Sequence, residues 1–202
     1  VFKLNKKLIF ISSTSIYGPQ KKDVSEDIKE DQLKPMSPYA NCKLKEEEYI
    51  IYKFRNKKIL NNFCIMRFGT IFGYSSGMRF HTAVNKFCWQ AVFKEPLTVW
   101  KTALHQKRPY LGINDASNAI IHVIENNLFK NEMFNVLSFN KKVIDIINII
   151  KIKVPNVKIS LVRNRIMNQD SYSVINEKFK DTGFKYKDNL KKLIFKQINI
   201  LK

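Results

Sequence analysis

Residues 37–43 read SPYANCK. A serine followed by a proline suits a helix start. Ser37 can accept a hydrogen bond from a free backbone N–H of the first turn, and Pro38 fits the first helical position, where its missing N–H is no loss. Ala40, Leu44, Ile51 and Phe54 then keep helical spacing. On such a helix Tyr39 and Lys43 stand four residues apart and project from one face. A phenol ordinarily gives up its proton near pH ~10, and an adjacent ammonium favours the phenolate. A phenolate can take a proton from an alcohol, and the lysine can also donate to a ribose hydroxyl. By spacing alone the pair reads first as a solvated surface pair, so the flanking sequence has to decide.

Upstream, KKLIFI at 6–11 opens into SSTSIYG at 12–18, the pattern of a buried parallel-type strand and the loop at its C-terminal end. Residues 19–36 are polar and acidic, with Pro19 and Pro35, and read as a surface loop. Downstream, NFCIMRF at 62–68 reads as a second strand, followed by a loop punctuated by Gly69, Gly73 and Gly77. Residues 80–93 place Phe80, Val84, Phe87 and Ala91 at helical intervals. Short strands are expected at 97–100, 109–113, 133–136 and 157–162. Helices are expected at 142–151 and over ASNAIIHVIENN, with Asp115 as the cap of the latter. The tail from Val174 to Lys202 reads as a short helix, a turn at Gly183 and a closing helix. Strands alternating with helices predict an α/β protein with a mostly parallel sheet.

The chain has 202 residues, 45% of them hydrophobic, enough for one sizeable core or a core plus a small lobe. No stretch of about 18 apolar residues occurs, so no membrane span is expected. No charged segment followed by an apolar run and a small-residue cleavage site is visible, and the expected compartment is the cytoplasm. Cys42, Cys64 and Cys88 form no CxxC pair and are expected to be reduced core thiols. His81, His105 and His122 are scattered, and no metal site is expected. The formal charge of +19 raises the question of a nucleic-acid partner. The basic residues are nearly all Lys, with Arg only at Arg55, Arg67, Arg79, Arg108, Arg163 and Arg165. Lys is the weaker residue for bidentate phosphate or base-edge recognition. The charge is therefore read as a Lys-rich solvated surface, with no nucleic-acid partner.

Taken together, these segments resemble the NAD-dependent epimerase/dehydratase family of the extended short-chain dehydrogenase/reductase superfamily. KLIFISSTSIYG is similar to the family's strand with the catalytic Ser/Thr, SPYANCK to its SPYxxxK, and CIMRFGTIFG to its LRxxxxxG segment. KRPYLGINDASNAI resembles RDxxxVxDxxxAI, and MFNV the (Y/F)NV strand. The resemblance implies the C-terminal half of a Rossmann-type parallel sheet with a small α+β substrate-binding lobe. Residues 1–70 and 108–138 would belong to the NAD-binding domain, and 71–107 and 139–202 to the lobe.

The resemblance also implies roles. Tyr39, Lys43 and Ser13 would be catalytic. Ser13 stands four residues before Tyr17, as the family's hydroxyl does, with Thr14 as runner-up. Ser12, Tyr39, Lys43, Phe68 and Gly69 would lie at the NAD. Thr14, Thr70, Asn85, Lys86 and Arg108 would face a nucleotide-sugar substrate, with Arg108 on its diphosphate. A homodimer through the helix carrying Tyr39 would follow. Dehydration is not expected, because Thr14 and Ser15 stand where the dehydratase branch has Asp and Glu. Pro109 and Gly112 also depart from the family pattern along the strand of Arg108.

No GxxGxxG turn occurs, although such a fold normally holds the dinucleotide pyrophosphate on one. With Val1 first, the sequence is expected to be the C-terminal portion of a longer protein lacking roughly a hundred residues. The intact protein would be an NAD-dependent epimerase or dehydrogenase acting on a nucleotide-sugar. Two alternatives stand beside it at this point: a basic nucleic-acid-binding module, and a non-catalytic remnant that keeps the motif without the cofactor half.

Overall fold

The computed structural model describes residues 6–56, 62–163 and 171–202. Its strands are β1 (Leu8–Ser13), β2 (Phe63–Phe68), β3 (Thr70–Phe72), β4 (Leu97–Trp100), β5 (Lys107–Gly112), β6 (Glu132–Val136), β7 (Phe139–Lys142) and β8 (Ile159–Val162). Its helices are α1 (Pro38–Asn56), α2 (Ala83–Val92), α3 (Ile113–Glu125), α4 (Val143–Lys153), α5 (Glu177–Lys180) and α6 (Leu190–Leu201). The strands form a parallel sheet β1-β2-β6, a mixed sheet β3-β5-β7 in which β7 runs antiparallel to β5, and a parallel pair β4-β8. This is a partial Rossmann-type α/β fold with a smaller lobe. Among the described residues no helix is long and apolar enough to cross a membrane.

The first sheet is built by period-two alternation of residues that are apolar on both faces. β2 is buried at every position. Phe63 and Ile65 meet Ile50 and Phe54 of α1, and Leu8 and Phe10 pack against the same cluster. Cys64, Met66 and Phe68 meet Ala116, Ala119 and Val123 of α3 on the opposite face, with Phe179 and Phe184 from the tail. A second core joins α2, α4 and α6 to Phe72, Leu97, Val99 and Tyr110. The C-terminal ends of β1 and β2 carry Ser12, Ser13 and Phe68, with Ser13 and Phe68 in register.

The structure corrects several expectations. The chain beyond Gly69 is not only loop: β3 pairs in parallel with Tyr110–Gly112. Gly69 lets the two backbones approach, since a Cβ there would stand 3.1 Å from the Pro109 carbonyl carbon and oxygen and 3.3 Å from Leu137 Cβ. β7 was not expected. Its FNKK sequence lacks apolar alternation because it is an edge strand, with Lys141 and Lys142 turned to solvent. Phe80 lies before α2, not on it, and is exposed.

Asp115 is not the cap of α3. It lies inside the first turn, buried, and accepts from Ser138 Oγ at 2.7 Å and from the backbone N–H of Lys187 at 2.8 Å. The free N–H of Asp115 is met by Asp188 Oδ2 at 2.9 Å, a partner far away in sequence. Cys42 is exposed and not a core thiol, whereas Cys64 and Cys88 are buried and burial pushes both thiols up to about 12.

Candidate functional site

β1 ends at Ser13, whose Oγ accepts from the Ser15 N–H at 3.2 Å and from Ser15 Oγ at 2.9 Å. This caps one turn of 3-10 helix, Thr14–Tyr17, which closes on Gly18 at φ +60°. A row of hydroxyls is thus held at the end of the strand. Thr14 is buried, and its Oγ1 donates to the Phe68 carbonyl at 3.3 Å, tying the turn to the end of β2. Ser12 is 2% exposed, and its Oγ has no hydrogen-bond partner among the described residues.

α1 starts as its sequence demands. Ser37 Oγ accepts from the Ala40 N–H at 3.1 Å, and the Ser37 carbonyl accepts from Asn41 at 2.9 Å. Tyr39, in the first turn, is 58% exposed. Among the described residues its hydroxyl has no hydrogen-bond partner. Lys43 points back toward the sheet, with its ammonium 4.7 Å from the centroid of the Phe10 ring and 3.0 Å from Glu46. Its charge is therefore shared with a carboxylate.

A cavity of about 380 Å³ opens beside these elements. It begins at Ser37 and is lined by Thr70, Lys86 and Arg108, with His81, Trp100 and Tyr110 among the other walls. None of the described residues that line it is acidic. Three of the five residues expected to face substrate are thereby brought together from β3, α2 and β5. The other two are engaged elsewhere. Asn85 is buried, accepts from the Gly73 N–H at 3.3 Å and donates to the Arg79 carbonyl at 3.2 Å, so its amide holds the loop between β3 and α2. Thr14 is spent on Phe68 and stands 3.5 Å from the hydroxyl of Tyr172.

Behind the hydroxyl row lies a buried polar network that sequence reading missed. Arg67 Nε donates to Glu47 at 3.1 and 3.2 Å, and Nη2 donates to Glu47 Oε2 at 2.6 Å. Both side chains are buried, at 4% and 1% exposure. Arg67 Nη1 donates to the Tyr17 hydroxyl at 2.9 Å, which donates to Asn135 Oδ1 at 2.7 Å. Burial opposes the charge on Arg67, but its bonds to Glu47 and Tyr17 outweigh that and raise its pKa. Burial pushes the Tyr17 phenol up to about 12 against the pull of Arg67. The signal was present in part: Glu47 sits within the apolar stripe of α1, and Arg67 within a strand that is otherwise wholly apolar.

Glu26 belongs to the same region, accepting from the Asn135 backbone N–H. Burial raises its carboxyl pKa, partly offset by that bond. A carboxyl whose pKa is raised by folding contributes stability at low pH that is lost as pH rises through the folded-state value. Glu26→Gln keeps an acceptor for Asn135 and cannot ionise. The variant should gain thermal stability relative to wild type as pH rises from about 4, the ordinary carboxylate range. Melting curves of both proteins from about pH 4 to 8 check this, and a difference independent of pH would contradict it.

A family model described as NAD dependent epimerase/dehydratase family matches residues 2–136. No curated protein matches the chain. Among solved structures, UDP-glucuronic acid 4-epimerase from Bacillus cereus, in complex with UDP-glucuronic acid and NAD, is similar with a TM-score of 0.85 at 22% identity, covering 96% of this chain and 61% of that one. dTDP-glucose 4,6-dehydratase from Bacillus anthracis, in complex with NAD, gives 0.81 at 18% identity, covering 96% and 60%. UDP-glucose 4-epimerase from Thermotoga maritima, with UDP-glucose, gives 0.79 at 18%, covering 96% and 62%. The chain spans about three-fifths of the length of these structures.

Proposed function

The chain belongs to the NAD-dependent epimerase/dehydratase family, and on that premise we propose that the working protein epimerises or oxidises a nucleotide-linked sugar. The cavity carries the reading. It brings Thr70, Lys86 and Arg108 around one space beside aromatic walls, with no acidic residue among the described ones that line it, next to the cap of the helix that presents Tyr39. Such a space suits a diphosphate flanked by rings.

The residues at the ends of β1 and β2 fit the nicotinamide end of NAD. Ser12 has a buried hydroxyl without a partner among the described residues, Lys43 lies over Phe10 of β1, and a side chain at Gly69 would crowd the Pro109 carbonyl. Bound there, NAD supplies hydride acceptance and return at a sugar carbon. The protein's own part is to move the proton. Tyr39 takes it from the reacting hydroxyl, Ser13 holds that hydroxyl in place, and Lys43 holds a ribose. Residues 1–70 and 108–138 serve the cofactor in this reading, and 71–107 and 139–202 the nucleotide-sugar. Elimination of water is disfavoured, because Thr14 and Ser15 offer no carboxyl where a dehydratase needs one. Both epimerisation and oxidation use the same residues.

The test is a calorimetric titration of the chain with UDP and with dTDP, the diphosphates of the neighbours' names. Arg108→Ala should weaken binding roughly ten- to a hundredfold, the range for losing charge-assisted hydrogen bonds. Unchanged affinity would remove Arg108 from the diphosphate site and, with it, the main support for the reading.

A further inference from the structure

Lysines occur along the whole chain, but acids do not. Residues 146–163 and 189–202 hold none of the 17 acidic residues, and each stretch carries four basic ones. The fold sets the two stretches side by side. They supply most of α4, all of β8 and all of α6, and Ile146, Ile147 and Ile150 share one core with Leu193, Ile194 and Ile198. At the surface of that core, the Phe195 ring has the Lys191 ammonium 5.5 Å and the Lys153 ammonium 5.6 Å from its centroid, one from its own helix and one from α4. Other lysine-rich elements carry acids as well. In α1, Glu46, Glu47 and Glu48 stand between Lys45 and Lys53, and Glu46 pairs with Lys43 at 3.0 Å. Among the described residues, no lysine of 146–163 or 189–202 is paired with a carboxylate.

The same three elements leave large aliphatic side chains in solvent. Ile152, between Lys151 and Lys153 at the end of α4, is 60% exposed, and Leu161 of β8 and Ile200 of α6 are also exposed. Lys192, Lys196 and Ile200 follow at intervals of four and so share one face of α6. Exposed aliphatic groups beside unpaired ammonium groups match an anionic lipid interface: the lysines meet the headgroups and the isoleucines enter the acyl boundary. Nucleic-acid surfaces use stacking aromatics and arginine forks instead. Here the one aromatic residue of the two stretches, Phe195, is flanked by its two lysines, and Arg163 is the one arginine. We propose that the face formed by α4, β8 and α6 docks the protein peripherally on membranes that contain anionic lipid. The docking face is independent of the nucleotide-sugar reading and adds a place of work to it.

The experiment is co-sedimentation of the full chain, at physiological salt, with vesicles of phosphatidylcholine alone and of phosphatidylcholine mixed with phosphatidylserine. The chain should bind the mixed vesicles and leave the neutral ones. Replacing Lys153, Lys191 and Lys192 together by Gln should weaken binding on the order of a hundredfold, at about fivefold for each basic residue near an anionic leaflet. Replacing Lys21, Lys22 and Lys29 by Gln removes the same charge from the acid-containing loop before α1 and should hardly change it. Ile152→Ser with Ile200→Ser should weaken binding about tenfold, through lost apolar burial. Equal losses in the two lysine variants, or wild-type binding by the isoleucine variant, would reduce the attraction to general charge and overturn the inference. Capture by duplex DNA without vesicle binding would assign the face to nucleic acid and overturn it too, as would binding to neither. All the replaced side chains are at least partly exposed, and melting temperatures verify that the variants are folded. None of these outcomes bears on the titration with UDP and dTDP.

Discussion

On the proposed reading, Tyr39→Phe, made in a form of the protein that turns over the nucleotide-sugar, is expected to cut turnover by about a hundred- to ten-thousandfold, the range for removing a positioned acid–base group. NAD affinity and melting temperature should hardly move. The phenol is 58% exposed and, among the described residues, has no hydrogen-bond partner, so the deleted oxygen leaves nothing unsatisfied in the protein. That separation makes the variant informative: a loss of rate without a loss of stability belongs to chemistry. Turnover is followed as sugar interconversion, with NADH absorbance recorded alongside. A stable cofactor pool during turnover identifies epimerisation, and accumulating NADH identifies oxidation. Near-normal rates in the variant would remove Tyr39 as the base.

Arg67→Leu is expected to lower the free energy of unfolding by about 3–5 kcal/mol, because it strands the carboxylate of Glu47 in the interior. Glu47 is 1% exposed and has three hydrogen bonds from Arg67, at 2.6 to 3.2 Å. The single change also leaves the Tyr17 hydroxyl without its Arg67 donor. Replacing both partners together, Glu47→Leu with Arg67→Met, should recover much of the loss, since a well-packed apolar pair costs no desolvation. Urea unfolding of Arg67→Met, Glu47→Leu and the double variant closes the cycle. A single-variant loss below about 1 kcal/mol, the ordinary effect of a point mutation, would mean that water reaches the pair. The network fixes the hydroxyl turn from behind, so its loss should also blur the site.

Sequence was most informative where local pattern and tertiary role coincide. β2 is buried on both faces, so its residues form an unbroken apolar run, and α1 announces its own start through Ser37 and Pro38. It was least informative where a residue's partner is distant. Asp115 looks like a cap because an acid before an apolar run usually is one, but Asp188 meets its N–H while Asp115 serves Lys187 and Ser138. β7 exists only because β5 offers it an edge, and FNKK carries no strand signal of its own. Of the residues expected to face substrate, Thr70, Lys86 and Arg108 line one cavity. Asn85 stood on the right helix but is turned to the loop. Tyr172 had no local mark at all, because the residues it meets are distant: it is buried with Ile16 and Tyr17, and its hydroxyl stands 3.5 Å from Thr14 Oγ1, 158 residues earlier.

The segment with Tyr172 and Val174 also sets an order of events during biosynthesis. Val24 and Val174 bridge as parallel backbone, and Asn140 clasps Val174 through both its amide groups. A chain emerging from the ribosome presents the serine-rich turn well before Tyr172 and Val174, which share one core with its Ile16 and Tyr17. Closing so long a loop costs entropy that local contacts do not repay. The turn that follows β1 is thus fully packed only once Tyr172 and Val174 have been made.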